Sequence, residues 1–454
     1  MKRNAPIRDG LGFDDIILLP SETTVKPTDV VTRARLTKTI SLEIPVVSAS
    51  KNNVTESVLA TALARLGGLG IIHGNMPIGK QVEEVRKVKR AEGRLVANPI
   101  TISPDAPVAE ALDLMTTYKI SGLPVVEPSQ KVVGIITNRD IRFFEDYAKP
   151  VSELMTKEVV TAKNNIEAAT AKRLMHQHRI EKLVIVDDQG RCIGLMTVKD
   201  IERLGRYAQA VRDANSSLRV GASVTIGRDS FERASALADA GVDALFIESA
   251  HGHHRDLVGA VSRIRQQRST NVQIIAGNAA TSDAARALID AGADAIKVGM
   301  GALPCSASRR LGGVGVPPVN AILAIAEQCG MSDMPFMVEG GLSCPSDIAK
   351  ALAAGADCVV IDTLLAGVDE APGEIVYHQS SAYKVVNTSK TAASSDPYAL
   401  DEEPVDTSTP YRGPVVPMIN HLVNGLRIAM AYTGARDIKT LRETAEFLRT
   451  NKAW

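Results

Sequence analysis

The stretch ALIDAGADAIKVGM, residues 287–300, combines the end of a helix, an Ala-Gly turn and a buried strand. The same pattern recurs in ALADAGVDALFIES, residues 236–249, and in ALAAGADCVVIDTLLAG, residues 351–367. Glycine is common just past a helix end because it readily takes the left-handed conformation found there. The apolar run after each glycine is nearly continuous, as in parallel strands that are covered on both faces. The pattern therefore predicts a parallel α/β architecture.

Further short apolar segments have the length of buried strands. They are IPVVSAS (44–50), LGIIHG (69–74), LRVGASV (218–224) and VQIIAGN (272–278). Alternating helix and strand units of this kind predict an α/β fold of the (β/α)8 TIM barrel type, built from residues 1–94 and 206–454. The polar, Ser/Thr-rich segment at about 384–410 predicts a flap, with Lys384 and Lys390 as solvated charges on it.

An internal repeat interrupts the barrel sequence. KISGLPVVEPSQKVVGIITNRDI begins at Lys119, and RIEKLVIVDDQGRCIGLMTVKDI begins 60 residues later at Arg179. Each copy has two short apolar strands, the second ending in Gly-x-x-Thr, and an amphipathic helix precedes each copy. The pair is similar to a tandem CBS (Bateman) module, which predicts an inserted domain at residues 95–205.

The CBS resemblance implies an adenine- or guanine-nucleotide site. The residues that match the pattern for ribose contacts are Thr137 and Asp140 in the first copy, and Thr197 and Asp200 in the second. The alternative is that each aspartate caps the helix that follows it.

The bulk composition excludes several classes of protein. The 454 residues include 52 basic and 52 acidic side chains, which argues against a nucleic-acid partner. Five scattered cysteines argue against a disulfide framework and a structural zinc site. No metal site is predicted at His251, His253 and His254, where no fourth ligand is visible. Without an apolar run of about 18 residues or a signal peptide, the sequence predicts a cytoplasmic protein with no membrane partner.

The order of motifs along the chain resembles the IMP dehydrogenase/GMP reductase family. GFDDIILLP, HGHHRDLVGAVSRIR, GGVGVP and LLAGVDEAPGE stand in family order, and HGNMPIGKQVEEVRKVKR is more similar to the dehydrogenase branch. The resemblance implies that a loop cysteine attacks C2 of a purine nucleotide in the barrel. Hydride then passes to the cofactor, NAD or NADP, and water hydrolyses the adduct. GMP reductases run a related course with deamination. The family also implies a homo-tetramer or octamer.

The resemblance places the catalytic residues in one loop and in the flap. The family loop reads roughly G-x-G-P-G-S-x-C-T-T-R. In this chain Ser306 stands at the position of the family's cysteine, and Cys305 stands one residue earlier. Ser308 keeps a hydroxyl at the position of the family's second threonine. The flap's Arg-Tyr pair, whose arginine serves as the base, reads Pro397-Tyr398. Ala302-Leu303-Pro304 replaces Pro-Gly-Ser, which argues against a monovalent-cation site.

The resemblance also implies binding residues that follow several strands. The substrate-binding candidates are Ser48, Glu339, Gly340, Gly341, Asp362 and Thr363, and the cofactor-binding candidates are Glu248, Ser249 and Asn278. Glu339 replaces the ribose-binding aspartate, and Asp362-Thr363 replaces Gly-Ser in the phosphate loop. A carboxylate at position 362 would repel a phosphate dianion unless it is protonated, metal-bound or turned away.

Three functions remain open on the sequence. The first is a purine-nucleotide oxidoreductase that uses Cys305. The second is a catalytically inactive paralogue that senses nucleotides, favoured by the changed catalytic loop, phosphate loop and flap. The third is a repurposed barrel that acts on another ligand through Asp362, Glu339 and the Cys305-Ser306 pair.

Overall fold

The computed structural model describes residues 7, 9–92, 96–97, 99–163, 166–266, 272–300, 307–378, 381–386 and 407–450. The chain divides into two compact units. The first comprises Met1–Ala91, Gln209–Asp213 and Leu218–Trp454, and the second comprises Glu92–Ala208 and Ala214–Ser217.

The first unit is a closed barrel of eight parallel strands. In chain order the strands are β1 (Val46–Ser48), β2 (Leu69–Ile72), β3 (Gly221–Thr225), β4 (Ala244–Glu248), β5 (Gln273–Ala279), β6 (Ala295–Val298), β7 (Phe336–Glu339) and β8 (Cys358–Ile361). Each strand pairs with the next, and β8 pairs with β1 to close the ring. The predicted (β/α)8 barrel is therefore confirmed. The strand β7 was not among those expected from the sequence.

The longer helices of the barrel unit follow the strands. They are α1 (Ser57–Arg65), α2 (Ile78–Ala91), α3 (Ser230–Asp239), α4 (Arg255–Gln266), α5 (Ser282–Asp290), α6 (Pro318–Met331), α7 (Pro345–Ala353) and α8 (Val415–Tyr432). Helical turns at Phe13–Asp15, Pro27–Asp29, Lys51–Asn53, Ala307–Gly312, Thr363–Ala366 and Ile438–Thr444 fill the connections. Two small antiparallel pairs also belong to this unit: Ile16–Leu18 with Phe447–Arg449, and Ala34–Arg35 with Ser41–Leu42.

The repeated Ala-Gly-x-Asp sequence locks neighbouring strands together at their amino-terminal ends. The glycine just past α5, Gly292, has a φ of +100°, which a side chain would strain. Asp294 then accepts a hydrogen bond from the backbone N–H of Ile274 at 2.7 Å. Asp243 does the same with Val220 at 2.9 Å, and Asp357 with Phe336 at 3.0 Å. One short motif thus ends a helix and fixes the start of the strand before it.

The second unit contains two similar halves with separate small cores. Its helices are Val108–Thr117, Asn138–Ile141, Val151–Leu154, Ala168–His178 and Val198–Arg206. Its strands are Val96–Ala97, Gly122–Val126, Val132–Thr137, Thr161–Lys163, Lys182–Val186 and Cys192–Thr197. Gly122 pairs with Thr137 in the first half, and Lys182 pairs with Thr197 in the second. The repeat seen in the sequence therefore has the same strand register in both copies.

A three-stranded antiparallel sheet carries both ends of the segment around 384–410. Its strands are Glu374–His378, Ser381–Val386 and Thr407–Pro410. Lys384 is 2% exposed, and its Nζ donates to the carbonyl oxygens of Val368, Asp369 and Ala371. The expectation that Lys384 is a solvated charge was wrong, because backbone carbonyls replace water around its ammonium group. Lys390 lies outside the described residues.

No helix among the described residues is long and apolar enough to cross a membrane.

Candidate active site

The carboxyl ends of the barrel strands bring several ionisable side chains to one place. Glu248 is the last residue of β4, Glu339 is the last residue of β7, and Lys297 lies near the end of β6. In (β/α)8 barrels this end of the strands is where active sites are built. Glu248 and Glu339, which the sequence assigned to different ligands, therefore belong to one cluster.

Lys297 joins the two carboxylates. Its Nζ lies 2.9 Å from Oε2 of Glu339 and makes a short contact with Oε1 of Glu248. The Lys297 and Glu339 side chains are each 1% exposed, so water does not screen the charges. Burial alone would lower the pKa of Lys297, but the two carboxylates outweigh it and raise that pKa above its usual range.

Glu248 has further partners on the neighbouring strands. Its Oε2 accepts hydrogen bonds from Oγ of Ser50 and from Oγ of Ser223, each at 2.5 Å. Ser223 lies on β3 and Ser50 lies just after β1. These bonds and the contact with Lys297 hold the Glu248 carboxylate in one orientation.

Glu339 has all of its observed partners on one oxygen. Its Oε2 accepts from Nδ2 of Asn278 at 2.9 Å and pairs with Nζ of Lys51 at 3.1 Å, besides Lys297. Burial would raise the pKa of Glu339, but Lys297 and then Lys51 lower it to about 2. Glu339 is therefore ionised at neutral pH although it is buried.

Two buried oxygens in this cluster have no hydrogen-bond partner among the described residues. They are Oε1 of Glu339 and Oδ1 of Asn278, which belong to the same bonded pair. Buried polar atoms are normally paired, and an unpaired one carries a desolvation cost. Both atoms are acceptors, so a ligand that offers hydroxyl or amide donors would satisfy them.

The loop after β4 is tied to the end of β5. Ser249 donates its backbone N–H to Gly277 at 2.9 Å and accepts from the Asn278 N–H at 3.1 Å. Gly252 donates to the Asn278 carbonyl at 3.0 Å, and an added Cβ at Gly252 would meet that oxygen at 2.2 Å. Glycine is therefore required here, and the loop places Ser249 beside Asn278. The three candidates for cofactor binding thus lie together.

The other predicted substrate-binding residues take up different positions. Ser48 is buried and accepts from Oγ1 of Thr55 at 2.8 Å. Gly340 and Gly341 follow Glu339 with φ values of +92° and +78°, so they form the turn that leaves β7. At the end of β8, the Asp362 carboxylate accepts the backbone N–H of Thr363 at 2.5 Å. An anion that approaches this turn therefore meets a carboxylate at the Thr363 amide.

Part of the predicted catalytic set lies outside the described residues. These residues are Cys305, Ser306 and Tyr398. Ser308 is half-buried on the short helix Ala307–Gly312, which begins directly after the loop. Its carbonyl accepts the N–H of Val314 at 3.1 Å.

In the second unit both candidate aspartates cap a helix. Oδ2 of Asp140 accepts the backbone N–H of Thr137 at 2.8 Å and its hydroxyl at 2.7 Å. Oδ2 of Asp200 accepts the corresponding groups of Thr197 at 2.9 and 2.6 Å. The capping alternative is therefore present in the structure at both positions.

Sequence reasoning did not identify Lys297, Ser223, Ser50 or Lys51 as residues of the site. The signal for Lys297 was visible, since a single lysine interrupts the apolar run AIKVGM of a buried strand. A buried lysine almost always has a partner, and here the partners come from β4 and β7. Among the described residues, no group of three or more His, Cys, Asp or Glu side chains is arranged to hold a metal ion.

Comparison with known proteins connects this geometry to a family. The family model described as IMP dehydrogenase / GMP reductase domain matches residues 10–453. The inosine-5'-monophosphate dehydrogenase of Aquifex aeolicus (strain VF5) is 46% identical, covering 98% of this chain and 93% of the relative. The inosine-5'-monophosphate dehydrogenase of Bacillus subtilis (strain 168) is 44% identical, covering 98% of this chain and 94% of the relative. The crystal structure of a GMP reductase from Trypanosoma brucei in complex with guanosine 5'-monophosphate superposes with a TM-score of 0.86. It is 35% identical, with 98% of this chain and 96% of that chain covered.

Proposed function

The chain belongs to the IMP dehydrogenase/GMP reductase family, and from that premise we propose that it is a purine-nucleotide oxidoreductase that uses NAD or NADP. The relatives with names act on or bind purine nucleotides, and the match extends over nearly the whole chain. The substrate is a purine nucleotide such as IMP or GMP, held at the carboxyl ends of the barrel strands.

The observation that carries this proposal is the pair of unpartnered buried oxygens, Oε1 of Glu339 and Oδ1 of Asn278. A ribose offers hydroxyl donors at adjacent carbons, and an ionised carboxylate is a strong acceptor for them. Lys297 and Lys51 keep Glu339 ionised through contacts with its other oxygen, Oε2. The ribose of the substrate is therefore assigned to Glu339.

The residues assigned to the dinucleotide keep room to accept donors. Glu248 uses three acceptor positions, on Lys297, Ser50 and Ser223, of about four that a carboxylate offers. Asn278 lies on β5, the strand next to that of Glu248, and its Oδ1 has no partner within the described ranges; Ser249 lies next to Asn278. Glu248, Ser249 and Asn278 would hold the cofactor, which, when bound, accepts hydride from the purine ring or delivers hydride to it.

The nucleophile is assigned to Cys305. A thiol can form the thiolate that bonds to C2 of the purine, whereas the alcohol of Ser306 is hardly ionised near neutral pH. Arg309 and Arg310, in the last turn of the helix Ala307–Gly312, place positive charge a few residues after Cys305 in the sequence. Positive charge near a thiol favours its thiolate form. Ser308 and Tyr398 are assigned to the same catalytic group by the family resemblance.

A second function, a nucleotide-binding paralogue without turnover, is favoured by one specific contact. Asp362 occupies the Thr363 amide, at the place where the family has the Gly-Ser of its phosphate loop. A carboxylate at this point repels a phosphate and uses the donor that the phosphate would need. In that case the barrel retains the ribose contact but does not align the purine for attack.

The second unit is proposed to be a tandem CBS domain that binds an adenine or guanine nucleotide. Its two halves place Thr137 with Asp140, and Thr197 with Asp200, in the same local geometry. Oδ2 of each aspartate serves the helix cap. The ligand contact is assigned to these two Thr–Asp pairs by the CBS resemblance. The assembly is proposed to be a cytoplasmic homo-tetramer or octamer.

The experiment that tests the oxidoreductase is a turnover assay. Purified protein is mixed with IMP or GMP and NAD, NADP or their reduced forms, and absorbance of the reduced cofactor is followed. The proposal expects turnover that is lost in Cys305→Ala and retained in the matched variant Ser306→Ala. Turnover that survives Cys305→Ala would overturn the role of Cys305.

The absence of turnover would favour the paralogue if nucleotides still raise the melting temperature. Shifts by ATP or GTP that vanish in Asp140→Ala or Asp200→Ala would identify the second unit as the sensor. If only ligands other than purine nucleotides shift the melting curve, and do so through Asp362, the barrel has been repurposed.

A further inference from the structure

Two carboxylates in the barrel share one buried counter-ion. Glu248 and Glu339 both contact Nζ of Lys297, and the other cation of the cluster, Lys51, is 54% exposed and contacts only Glu339 among the described residues. Glu248, Glu339, Lys297 and Lys51 have a net charge of zero together. Lys297 is the central group of this set, since it is the residue that touches both acids.

Removing the shared lysine would change the protonation of the acids. Two carboxylates that lie close together in a poorly solvated place do not both ionise near neutral pH, so one of them keeps a proton. A protonated Glu339 would donate rather than accept on one oxygen, and would be a weaker acceptor for ligand hydroxyls. The described groups that face Glu339 are Lys297 from β6, Asn278 from β5 and Lys51 from the turn after β1.

We propose that Lys297 is a positioning residue for ligand binding: by pairing with Glu248 and Glu339 together, it balances the charge of both acids, keeps Glu339 ionised and leaves Oε1 of Glu339 open as an acceptor. The inference rests on the proposed binding of a purine nucleotide at Glu339. It assigns to one buried lysine the charge state of both the substrate side and the cofactor side of the site.

The consequence is a pH profile that depends on Lys297. In the wild-type protein, Glu339 stays ionised from about pH 5 upwards, since its pKa is lowered to about 2. In Lys297→Met, Glu339 loses the cation that does most to lower its pKa, so its pKa rises and a larger fraction of it is protonated at pH 6 than at pH 9. Nucleotide binding by the variant therefore improves with rising pH relative to the wild type.

The measurement is the dissociation constant of IMP and of GMP, by calorimetry, at several values between pH 6 and pH 9. The quantity compared is the ratio of the variant's Kd to the wild-type Kd at each pH, because the nucleotide phosphate titrates near pH 6 in both. For Lys297→Met this ratio is expected to fall about tenfold between pH 6 and pH 9, a change in binding equal to the effect of a one-unit shift in pKa.

Two further variants separate this role from a merely structural one. Lys51→Met removes the half-exposed cation that pairs with Glu339. The ratio of its Kd to the wild-type Kd is expected to stay constant within about twofold between pH 6 and pH 9. Lys297→Met/Glu248→Gln removes one positive and one negative charge together and is expected to restore a flat profile. A flat profile for Lys297→Met, or an equal slope for Lys51→Met, would overturn the proposal.

The test remains decisive if binding or folding fails. If the wild type binds neither nucleotide, the proposed function fails, and the role of Lys297 is read from melting temperatures without ligand. A carboxyl whose pKa is raised in the folded state loses stability as pH rises, so Lys297→Met should melt progressively below wild type from pH 6 to pH 9. Parallel melting curves would contradict the proposal. If Lys297→Met does not fold, the proposal requires that Lys297→Met/Glu248→Gln folds and shows no dependence on pH relative to wild type. Failure of this double variant to fold, or a pH dependence in it, would also contradict the proposal.

Discussion

Nζ of Lys297 lies 2.9 Å from Oε2 of Glu339, at a place where both side chains are 1% exposed. This ion pair joins β6 to β7 at the carboxyl end of the barrel. Breaking a buried ion pair from one side leaves a charge without its partner and typically costs about 3–5 kcal/mol. The pair therefore contributes to the site and to the stability of the barrel.

Glu339→Gln is expected to lower the free energy of unfolding of the barrel unit by about 3 kcal/mol, because Lys297 and Lys51 lose a shared counter-ion. The matched control is Glu443→Gln, which removes a 62% exposed partner of Lys439 and should cost less than about 1 kcal/mol. Urea unfolding at pH 7 measures both. Equal losses for the two variants would show that burial of the pair has no energetic weight.

The contribution of Glu339 should also depend on pH in a defined window. Its pKa is lowered to about 2 in the folded protein, mainly by Lys297 against the effect of burial. The stabilisation is therefore complete above the ordinary glutamate pKa of about 4.3 and is lost as pH falls towards 2. The stability difference between wild type and Glu339→Gln should be constant from pH 7 to pH 5 and shrink by pH 3. A difference that grows as the pH falls would contradict the assigned ion pair.

Asp362 provides a test of the phosphate end of the site. Asp362→Gly removes the carboxylate from the Thr363 amide, and should tighten IMP binding about tenfold while changing inosine binding by less than about twofold. Asp362→Asn keeps an acceptor for that amide but removes the charge. If repulsion dominates, both variants gain affinity for IMP; if occupation of the amide dominates, only the glycine variant gains. An equal effect on inosine would show that Asp362 does not act on the phosphate.

Much of the fold was readable because local signals agreed. The Ala-Gly-x-Asp motif marks the end of a helix and the start of a strand, and the aspartate of each copy locks that strand to the one before it. The strand Phe336–Glu339 was not foreseen, since it has only four residues and no Ala-Gly turn comes before it. A short apolar run without such punctuation does not distinguish a strand from other buried segments.

The site was readable only in part. Glu248, Glu339 and Asn278 were expected at strand ends, and the structure brings them together. The sequence could not show that one lysine joins the two acids, because the contact depends on the order of strands around the barrel. Lys384 was misjudged for a similar reason, since the carbonyls that surround it come from residues 368–371.

Lys384→Met tests whether that buried ammonium group organises the sheet to which it belongs. The variant leaves the carbonyls of Val368, Asp369 and Ala371 without their donor and should destabilise the barrel unit by about 2–3 kcal/mol. Lys439→Met, at a lysine whose side chain is 83% exposed, is the control and should have little effect. Thermal melting followed by circular dichroism compares the two. Identical melting temperatures would mean that the carbonyls find other donors at no cost.

The central claim is that the barrel binds a purine nucleotide through Glu339. Calorimetric titration of IMP and GMP into wild type, Glu339→Ala and Asp140→Ala/Asp200→Ala tests it most directly, because the last variant removes the proposed contacts of the second unit alone. Binding of at least one of the two nucleotides that is lost in Glu339→Ala, and kept in the double variant, is the predicted result. Binding that persists unchanged in Glu339→Ala would contradict the claim.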